Sequence, residues 1–246
     1  MNATSKSDPT RDWSIGVVIP AQNEEATIEA CISSVIRACE YSGCRHSPWI
    51  VVVADMCTDR TAGLARAAIG SFGQVVEARV RSAGSARRLG AKAVFEHFRT
   101  IDPRFIWLAN TDADTCVSRE WIDVQLNLAN DGVTGVAGIV RLGRDSSAAA
   151  HEVHRRNYPL RADGTHSHVH GANIAVRADA YLDVGGWTDR PLAEDHCLWG
   201  RLRSRGWRIS SPTNSVVTTS GRLEGRARGG FADTLKARLD ARHADS

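Results

Sequence analysis

Short apolar segments of strand length alternate with segments of helical periodicity over the first 140 residues, and this alternation restricts the fold most. Three of the apolar segments, at residues 13–20, 49–54 and 105–109, are rich in hydrophobic residues with little polar alternation. Such runs are typical of strands that helices cover on both faces. The order strand–helix–strand predicts βαβ units and an α/β fold with a mostly parallel sheet. With 246 residues, the chain can bury a large core.

Capping residues and turn signals set the expected limits of the elements. Asn23 predicts a helix that begins at Glu24, and Thr58 predicts the start of the next helix. A fifth strand is expected over residues 135–140. The expected divisions of the chain are residues 1–12 as a disordered tail, 13–142 and 143–235 as two halves of one domain, and 236–246 as a C-terminal tail.

Composition excludes several classes of protein. A net charge of only +3 gives no reason to expect binding to nucleic acid. Six cysteines without a CxxC pair argue against a zinc ribbon and give no disulfide framework. The polar N-terminus has no apolar core of a signal peptide, and no apolar run approaches the roughly 20 residues of a transmembrane helix. We therefore expect a cytoplasmic protein, with peripheral contact with a membrane left open.

Polar side chains follow three of the predicted strands at the point where each strand ends. Asn23 follows the first strand, Asp55 the second, and Asp112 and Asp114 the fourth. In a parallel α/β sheet, ligands bind at the carboxyl ends of the strands. These four side chains are therefore expected to meet at one edge of the sheet.

The Asp112-Ala113-Asp114 triplet suits a divalent cation. Two carboxylates one residue apart can supply oxygen ligands to Mg²⁺ or Mn²⁺, and such an ion can neutralise a departing diphosphate. A solvated turn is the alternative for the triplet alone, and the preceding apolar strand favours the metal site. Asp55 has two interpretations of equal weight, a contact with a nucleobase or ribose and a simple turn residue.

Glu194 and Asp195 precede a predicted amphipathic helix, where acidic side chains are usually structural. The functional alternative is a general base that removes a proton from an attacking hydroxyl group. Asp is a weak base, so this role requires a hydroxyl that becomes acidic late in the reaction, as in attack on an oxocarbenium-like centre.

Basic residues and histidines provide further candidates. The stretch 220–230 combines three arginines with four glycines, and Arg222 and Arg226 are either diphosphate ligands or part of a solvated tail. Arg87 lies near a helix start, where it either reaches a diphosphate or faces solvent. The histidine-rich loop at residues 166–170 could supply a metal ligand, and His170 is the best candidate for it, although an ordinary loop role is the simpler interpretation.

Together these segments resemble glycosyltransferase family 2, the inverting family with the GT-A fold, over about residues 15–231. Val18 to Glu25 is similar to the opening strand and its Pro-x-x-Asn-Glu signature, and Ala54 to Thr61 is similar to Asp-Asp-Gly-Ser-Thr-Asp-Gly-Thr. The segments Asp112 to Asp114, Gly171 to Trp187 and Leu192 to Asp195 follow in the order of the family's metal, acceptor and Glu-Asp motifs. Five motifs in order make the resemblance specific.

The resemblance implies a role for each motif. Residues expected at the nucleotide are Pro20, Asn23, Glu25, Asp55, Arg87 and Asp112. The metal is expected at Asp112 and Asp114, and the catalytic base at Asp195 beside Glu194. Residues expected at the diphosphate or acceptor are Arg222, Arg226, His170, Gly171, Asn173 and Trp187. Residues 13–142 then form the nucleotide-sugar-binding, Rossmann-like half, and residues 143–235 the acceptor-binding half. The first Asp and the Gly-Ser of the second motif are replaced here, which leaves the donor base unspecified.

The resemblance predicts an inverting, metal-dependent enzyme that moves one sugar from a nucleoside-diphosphate sugar to an acceptor hydroxyl. The acceptor class stays open among small molecules, lipid-linked molecules and glycans, as does the oligomeric state. The Gln-x-x-Arg-Trp motif of processive synthases is absent, which favours single transfer over polymer synthesis. The alternatives are a nucleotidyltransferase, which lacks its usual Gly-rich phosphate loop here, and a non-catalytic nucleotide-sugar-binding protein.

Overall fold

The computed structural model of the chain describes residues 13–44, 47–144, 146–190, 192–222 and 231–244. The expected tail at residues 1–12 lies outside these ranges. The strands are β1 (Ser14–Ala21), β2 (Trp49–Asp55), β3 (Gly73–Ala78), β4 (Ile106–Asn110), β5 (Thr115–Val117), β6 (Gly135–Ala137), β7 (Ile139–Leu142), β8 (Ile174–Arg177), β9 (Ile209–Ser210) and β10 (Val216–Thr219). The helices are α1 (Ile28–Ser42), α2 (Thr61–Ile69), α3 (Ala83–His97), α4 (Trp121–Asn130), α5 (Ala148–Arg156), α6 (Ala178–Asp183), α7 (Glu194–Ser204) and α8 (Phe231–Ala244).

The central sheet has seven strands in the order β3-β2-β1-β4-β8-β6-β9. The first four are parallel, with β1 in the middle paired to both β2 and β4. Strand β8 is antiparallel to both of its neighbours, β4 and β6. The expectation of a mostly parallel sheet is confirmed, and the parallel part is the part that the alternating apolar pattern predicted.

Helices cover both faces of this sheet, as the apolar strands require. Ile15, Val17 and Ile19 of β1 face one cluster, which helices α1, α2 and α4 complete. Val18 faces the opposite cluster, to which α3, α6 and α7 contribute. Successive side chains of a strand point to opposite faces, so a strand buried on both sides has no polar position.

The predicted fifth strand over residues 135–140 is wrong, because it is two strands in different sheets. Residue 138 separates them, and β7 joins a small sheet of order β5-β10-β7. A Cβ at Gly138 would overlap the side-chain amide of Asn173 and the carbonyl of Ser215. Glycine is therefore required where the chain passes between the two sheets.

Two helices begin later than their predicted caps. Helix α1 begins at Ile28 and α2 at Thr61, so neither Asn23 nor Thr58 is an N-cap. The Asn23 side chain instead accepts a hydrogen bond from the backbone N–H of Thr58, 2.8 Å away. Asn23 thus accepts a backbone N–H, as an N-cap residue does, but this N–H belongs to the loop after β2 and not to α1.

The predicted boundary at residue 235 is also wrong, because it falls inside helix α8. Leu235 and Leu239 are buried in a small cluster with Leu142, Ala150 and Val153. Residues 236–244 are therefore part of a helix that packs on α5, and only residues 245–246 follow it, outside the described ranges.

Candidate active site

The polar side chains expected after three strands lie at one edge of the sheet, and two arginines connect the pair of Asp112 and Asp114 to further carboxylates. Arg87 of α3 contacts Asp112 and Glu194, and Arg222 contacts Glu24 and Asp114. Residues that are far apart in sequence therefore share one site. The carboxylates at the ends of β1 and β4 and at the start of α7 belong to it.

Arg87 is the most buried charged side chain of the site, with 4% of its side chain exposed. Its Nη2 donates to Oδ1 of Asp112 at 2.6 Å, and its Nη1 donates to Oε1 of Glu194 at 2.5 Å. Burial lowers the pKa of Arg87, but the negative charges of Asp112, Glu194 and Asp195 together raise it by more than burial lowers it. The pKa of Arg87 is therefore higher than its ordinary value. The solvated position that the sequence left open is excluded, and the guanidinium is a fixed charge at the centre of the site.

Two residues expected at the acceptor form the surroundings of Arg87. The guanidinium lies 5.3 Å from the ring centroid of Trp187, whose side chain is fully buried. A Cβ at Gly171 would overlap the same guanidinium. Trp187 packs under Arg87 with its side chain fully buried, so its position does not favour the expected contact with an acceptor, which stays a prediction. Because Gly171 has no Cβ, the guanidinium of Arg87 has room beside its backbone.

The Glu194-Asp195 pair divides into two environments. Glu194 accepts from Arg87, so its carboxylate is already committed to a buried cation. Asp195 accepts from the backbone N–H of Gly171 at 3.0 Å and remains partly exposed. This division favours Asp195 as the candidate base and makes Glu194 a residue that positions Arg87.

Asp112 and Asp114 have the chemistry of a divalent-cation site. Their side chains are 36% and 13% exposed. Burial, followed by repulsion from Asp112, raises the pKa of Asp114 to about 6. The described residues contain no group of three His, Cys, Asp or Glu side chains arranged for a metal. A cation would thus take two carboxylates from the chain and its other oxygen ligands from diphosphate and water, as Mg²⁺ commonly does.

Glu24 is a site residue that the sequence analysis missed. It is 6% exposed, and Arg222 donates to both of its carboxylate oxygens, at 2.6 and 2.8 Å. Arg222 Nη2 also lies 3.1 Å from Asp114. The signature Pro-x-x-Asn-Glu places its glutamate at Glu24, one residue before the Glu25 that was chosen.

Glu25 lies outside this network. It pairs with Arg60 at 3.1 Å, and the side chains are 41% and 79% exposed. Pro20 is half-buried at the end of β1, in register with Val53 of β2. Asp55 is buried, and its Oδ1 accepts from the backbone N–H of Val80 at 2.8 Å. Pro20 and Asp55 thus lie at the edge of the sheet where β1 and β2 end, and Glu25 forms a surface ion pair.

Left-handed backbone occurs at three non-glycine residues of the site loops. Asn23, Met56 and Ala193 have φ values of 53°, 55° and 58°. Met56 stands where the family motif has glycine, which explains the glycine of that motif. Ala193 directly precedes Glu194, so the carboxylates at the start of α7 follow a strained residue.

Asn173 is fully buried, accepts from the indole N–H of Trp121, and donates to the carbonyls of Ile139 and Ser215. These bonds tie Asn173 to α4 and to the small sheet, so its buried amide lends no support to the expected contact with an acceptor, which stays a prediction. Arg226 lies outside the described residues.

His170 belongs to a row of stacked rings beside the site. Tyr158 and His168 stack with ring centroids 3.7 Å apart, and His170 lies 5.7 Å from Tyr158. Burial lowers the pKa of His170 to about 4, with further lowering by His168 and His196 and an opposing effect of Asp112. The imidazole of His170 is therefore neutral at neutral pH.

Acidification is expected to destabilise the fold through His170. Its pKa is about 4 in the folded chain and about 6.5 in the unfolded chain. Between these values the unfolded chain binds more protons, so stability is complete above the unfolded pKa and is lost as pH falls. Between pH about 7.5 and about 5, protonation linked to His170 should lower the free energy of unfolding by about 2 kcal/mol. His170→Gln should show a fall that is smaller by this amount, and urea unfolding at the two pH values measures it. The exposed His151→Gln is the control, and an unchanged pH dependence in His170→Gln would contradict the prediction.

The mostly parallel sheet carries an acidic pair at its edge, and a buried arginine connects this pair to a second acidic pair. A family model described as "Glycosyltransferase like family 2" matches residues 12–239. The chain belongs to this family, as the sequence resemblance predicted. No curated protein matches the sequence.

Solved structures of the same fold are distant in sequence. A mannosyltransferase from Pyrobaculum calidifontis in complex with GDP-Man and Mn²⁺ is 19% identical, with a TM-score of 0.64 over 97% of this chain and 66% of that chain. S. aureus TarS 1-349 in complex with UDP-GlcNAc is 12% identical, with a TM-score of 0.63 over 93% and 66%. Glucosyl-3-phosphoglycerate synthase from Mycobacterium tuberculosis with Mg²⁺ and UDP is 19% identical, with a TM-score of 0.52 over 94% and 79%. The chain thus spans just under two thirds of the first two proteins.

No helix among the described residues has both the length and the apolar character needed to cross a bilayer.

Proposed function

We propose that this chain transfers one sugar from a nucleoside-diphosphate sugar to an acceptor hydroxyl, with inversion at the anomeric carbon and with Mg²⁺ or Mn²⁺ at Asp112 and Asp114. One observation carries the proposal. The buried guanidinium of Arg87 joins Asp112 to Glu194, the neighbour of Asp195. The candidate diphosphate site and the candidate base are thus held on opposite sides of one side chain.

The donor is expected to lie across the ends of β1, β2 and β4. Asp55 keeps one carboxylate oxygen on the backbone N–H of Val80, and its second oxygen remains for a base or ribose group. Asn23 ties the loop after β1 to the loop after β2 through Thr58. Complexes of family-fold relatives with GDP-Man, UDP-GlcNAc and UDP support this class of donor.

The departing diphosphate requires positive charge in a partly dry site. A divalent cation at the two aspartates would neutralise charge on the leaving oxygens. Mn²⁺ and Mg²⁺ occur in the structures of the mannosyltransferase and the glucosyl-3-phosphoglycerate synthase. Arg222 already lies 3.1 Å from Asp114 and is 30% exposed. Its planar fork suits phosphate oxygens, so it can turn from Asp114 to the diphosphate.

Asp195 is expected to take the proton of the acceptor hydroxyl. The acceptor oxygen forms a bond to the anomeric carbon while the bond from that carbon to the diphosphate oxygen breaks on the opposite side. The hydroxyl proton passes to a carboxylate oxygen of Asp195, and a weak base suffices because the hydroxyl becomes acidic as the new bond forms. The backbone N–H of Gly171 fixes the orientation of that carboxylate.

The neighbouring Glu194 is a poorer candidate for the base than Asp195. Its carboxylate pairs with the buried Arg87, and protonation of Glu194 would leave the Arg87 guanidinium without that negative charge, which is costly in a buried site. The six cysteines are all free thiols, which suits a reducing compartment such as the cytoplasm.

A thermal-shift panel tests the donor proposal directly. We expect one nucleoside diphosphate among GDP, UDP and dTDP to stabilise the chain in the presence of Mn²⁺ and far less in EDTA. At 100 times its Kd, a ligand adds about 2.7 kcal/mol, which for a chain of this size raises Tm by roughly 5–10 °C.

Turnover completes the test and separates a transferase from a non-catalytic binder. The matching nucleotide sugar should release its nucleoside diphosphate slowly with water as acceptor. Failure of every nucleotide to stabilise the chain in Mn²⁺ would contradict the proposal. Stabilisation without any release of nucleoside diphosphate would identify a binding protein, and release of pyrophosphate from a nucleoside triphosphate would identify a nucleotidyltransferase.

A further inference from the structure

An open groove of about 900 Å³ runs along the outer surface of α3. Its apolar lining comes from Leu89 and Phe95 of α3 and from Tyr181 and Leu182 of α6. The rings of Phe95 and Tyr181 meet edge to face with centroids 5.6 Å apart, so the two helices close the floor of the groove. None of these side chains takes part in the candidate active site.

Apolar side chains also project from the groove into solvent. Leu182 is 52% exposed and Val80 is 38% exposed, and both line the groove. Single exposed apolar residues are ordinary on a protein surface. Both belong to the lining of the same groove, so they extend its apolar surface toward solvent.

The rim of this surface is strongly basic. Arg88 and Lys92 of α3 and Arg99 in the turn after it line the groove, and the exposed Arg79 and Arg81 lie just before the helix. Among the described residues that line the groove, Glu96 is the one acid, 3.8 Å from Lys92. The chain as a whole carries only +3, so this concentration of positive charge is local.

The groove adjoins the active site through α3. Arg87 points inward to Asp112, whereas its neighbour Arg88 is exposed and lines the groove. A Cβ at Gly84 would overlap the carbonyl of Thr188, so the first turn of α3 packs directly on the segment that leads to Glu194. A partner bound in the groove would therefore lie beside the site without entering it.

We propose that this face of α3 and α6 docks on an anionic lipid surface. Cationic side chains around an apolar strip match such a surface, because the cations meet the phosphates while the apolar side chains enter the boundary of the acyl chains. A second copy of the chain would bring Arg88, Lys92 and Arg99 against their own equivalents, which repel one another. The proposal goes beyond the proposed transfer of sugar and does not depend on it.

Co-sedimentation of the full chain with lipid vesicles tests the proposal. We expect binding to vesicles that contain phosphatidylglycerol at about 0.1 M salt, weak binding to phosphatidylcholine alone, and loss of binding as salt increases. No nucleotide, metal or acceptor is present, so a failure here is distinct from a failure of the proposed transfer. Equal binding to both kinds of vesicle, or no binding to either, would overturn the proposal.

Variants locate the contact. Arg88→Gln together with Lys92→Gln should weaken binding to the anionic vesicles roughly 30-fold, and Leu182→Asp should weaken it roughly tenfold. All three positions are exposed or at the surface of the groove, so the fold should persist, which circular dichroism can check. The matched control is Arg37→Gln with Arg66→Gln, which removes the same charge from α1 and α2 on the opposite side of the sheet.

An equal loss of vesicle binding in the control pair would contradict the location of the docking face. Binding of an acidic amphipathic peptide in the groove, with no vesicle binding, would assign the groove to a protein partner and overturn the lipid proposal.

Discussion

Asp195→Asn is expected to lower the rate of sugar transfer roughly 10²- to 10⁴-fold while the Kd for the donor stays within about twofold. Asparagine keeps the size of the side chain and an oxygen that can accept from the backbone N–H of Gly171. It cannot accept the proton of the acceptor hydroxyl. Single-turnover release of nucleoside diphosphate measures the chemical step, and titration calorimetry measures donor binding.

Asp189→Asn is the matched control for this variant, because Asp189 is an exposed aspartate a few residues earlier in the chain. It should leave both the rate and the Kd unchanged. Equal losses of rate and donor affinity in Asp195→Asn would assign Asp195 to donor binding, and an unchanged rate would remove it from the mechanism.

Asp114→Asn is expected to abolish the effect of Mn²⁺ on donor binding and to lower transfer roughly 10³-fold, because a metal at the diphosphate contributes several kcal/mol. Asparagine is a neutral and weaker ligand, and Asp112 alone would hold the cation loosely. The measurements are Mn²⁺ titration with and without nucleoside diphosphate and the rate at saturating donor. The exposed Asp240→Asn on α8 is the control.

The stability of the same variant distinguishes loss of a ligand from loss of structure. Burial raises the pKa of Asp114 to about 6, so the ionised carboxylate opposes folding at neutral pH. Because the folded pKa is higher than the unfolded one, this penalty grows as pH rises from about 4 to about 6. Asp114→Asn should therefore leave Tm without metal equal or higher. A large fall in Tm, or an undiminished effect of Mn²⁺, would contradict the metal role.

The parallel half of the fold and the meeting of its polar clusters were predictable from sequence. Buried strands such as β2 have no polar position, and the polarity of the chain changes abruptly at Asp55, where the strand ends. In parallel strands these changes all occur at the same edge of the sheet. Local pattern was therefore sufficient for Asp55, Asp112 and Asp114.

The partners across long separations were not predictable in the same way. Glu24 and Arg222 are 198 residues apart, and nothing in either local sequence indicates that they pair. Trp187 and Asn173 lie within segments that resemble acceptor motifs, yet both are fully buried. A motif gives the place of a residue in the chain, whereas burial depends on which elements pack around it.

The limits of short elements were predicted wrongly for a related reason. Strand β6 has three residues and β7 four, and no polar side chain separates them, since only Gly138 lies between Ala137 and Ile139. Periodicity cannot separate two such strands, because each contains fewer residues than the pattern needs. Helix α8 is stabilised by Leu235 and Leu239 against α5, a tertiary contact that the local pattern does not reveal.

The left-handed conformations of Met56 and Ala193 predict that the loops that contain them become native late in folding. Side-chain-bearing residues rarely adopt φ near +55°, and each such residue disfavours the native loop by about 1 kcal/mol or more until its neighbours hold it. The loop after β2 and the turn before α7 should thus become native only once the sheet beneath them exists. The acidic groups of the site would then assemble last, on a scaffold that is already formed.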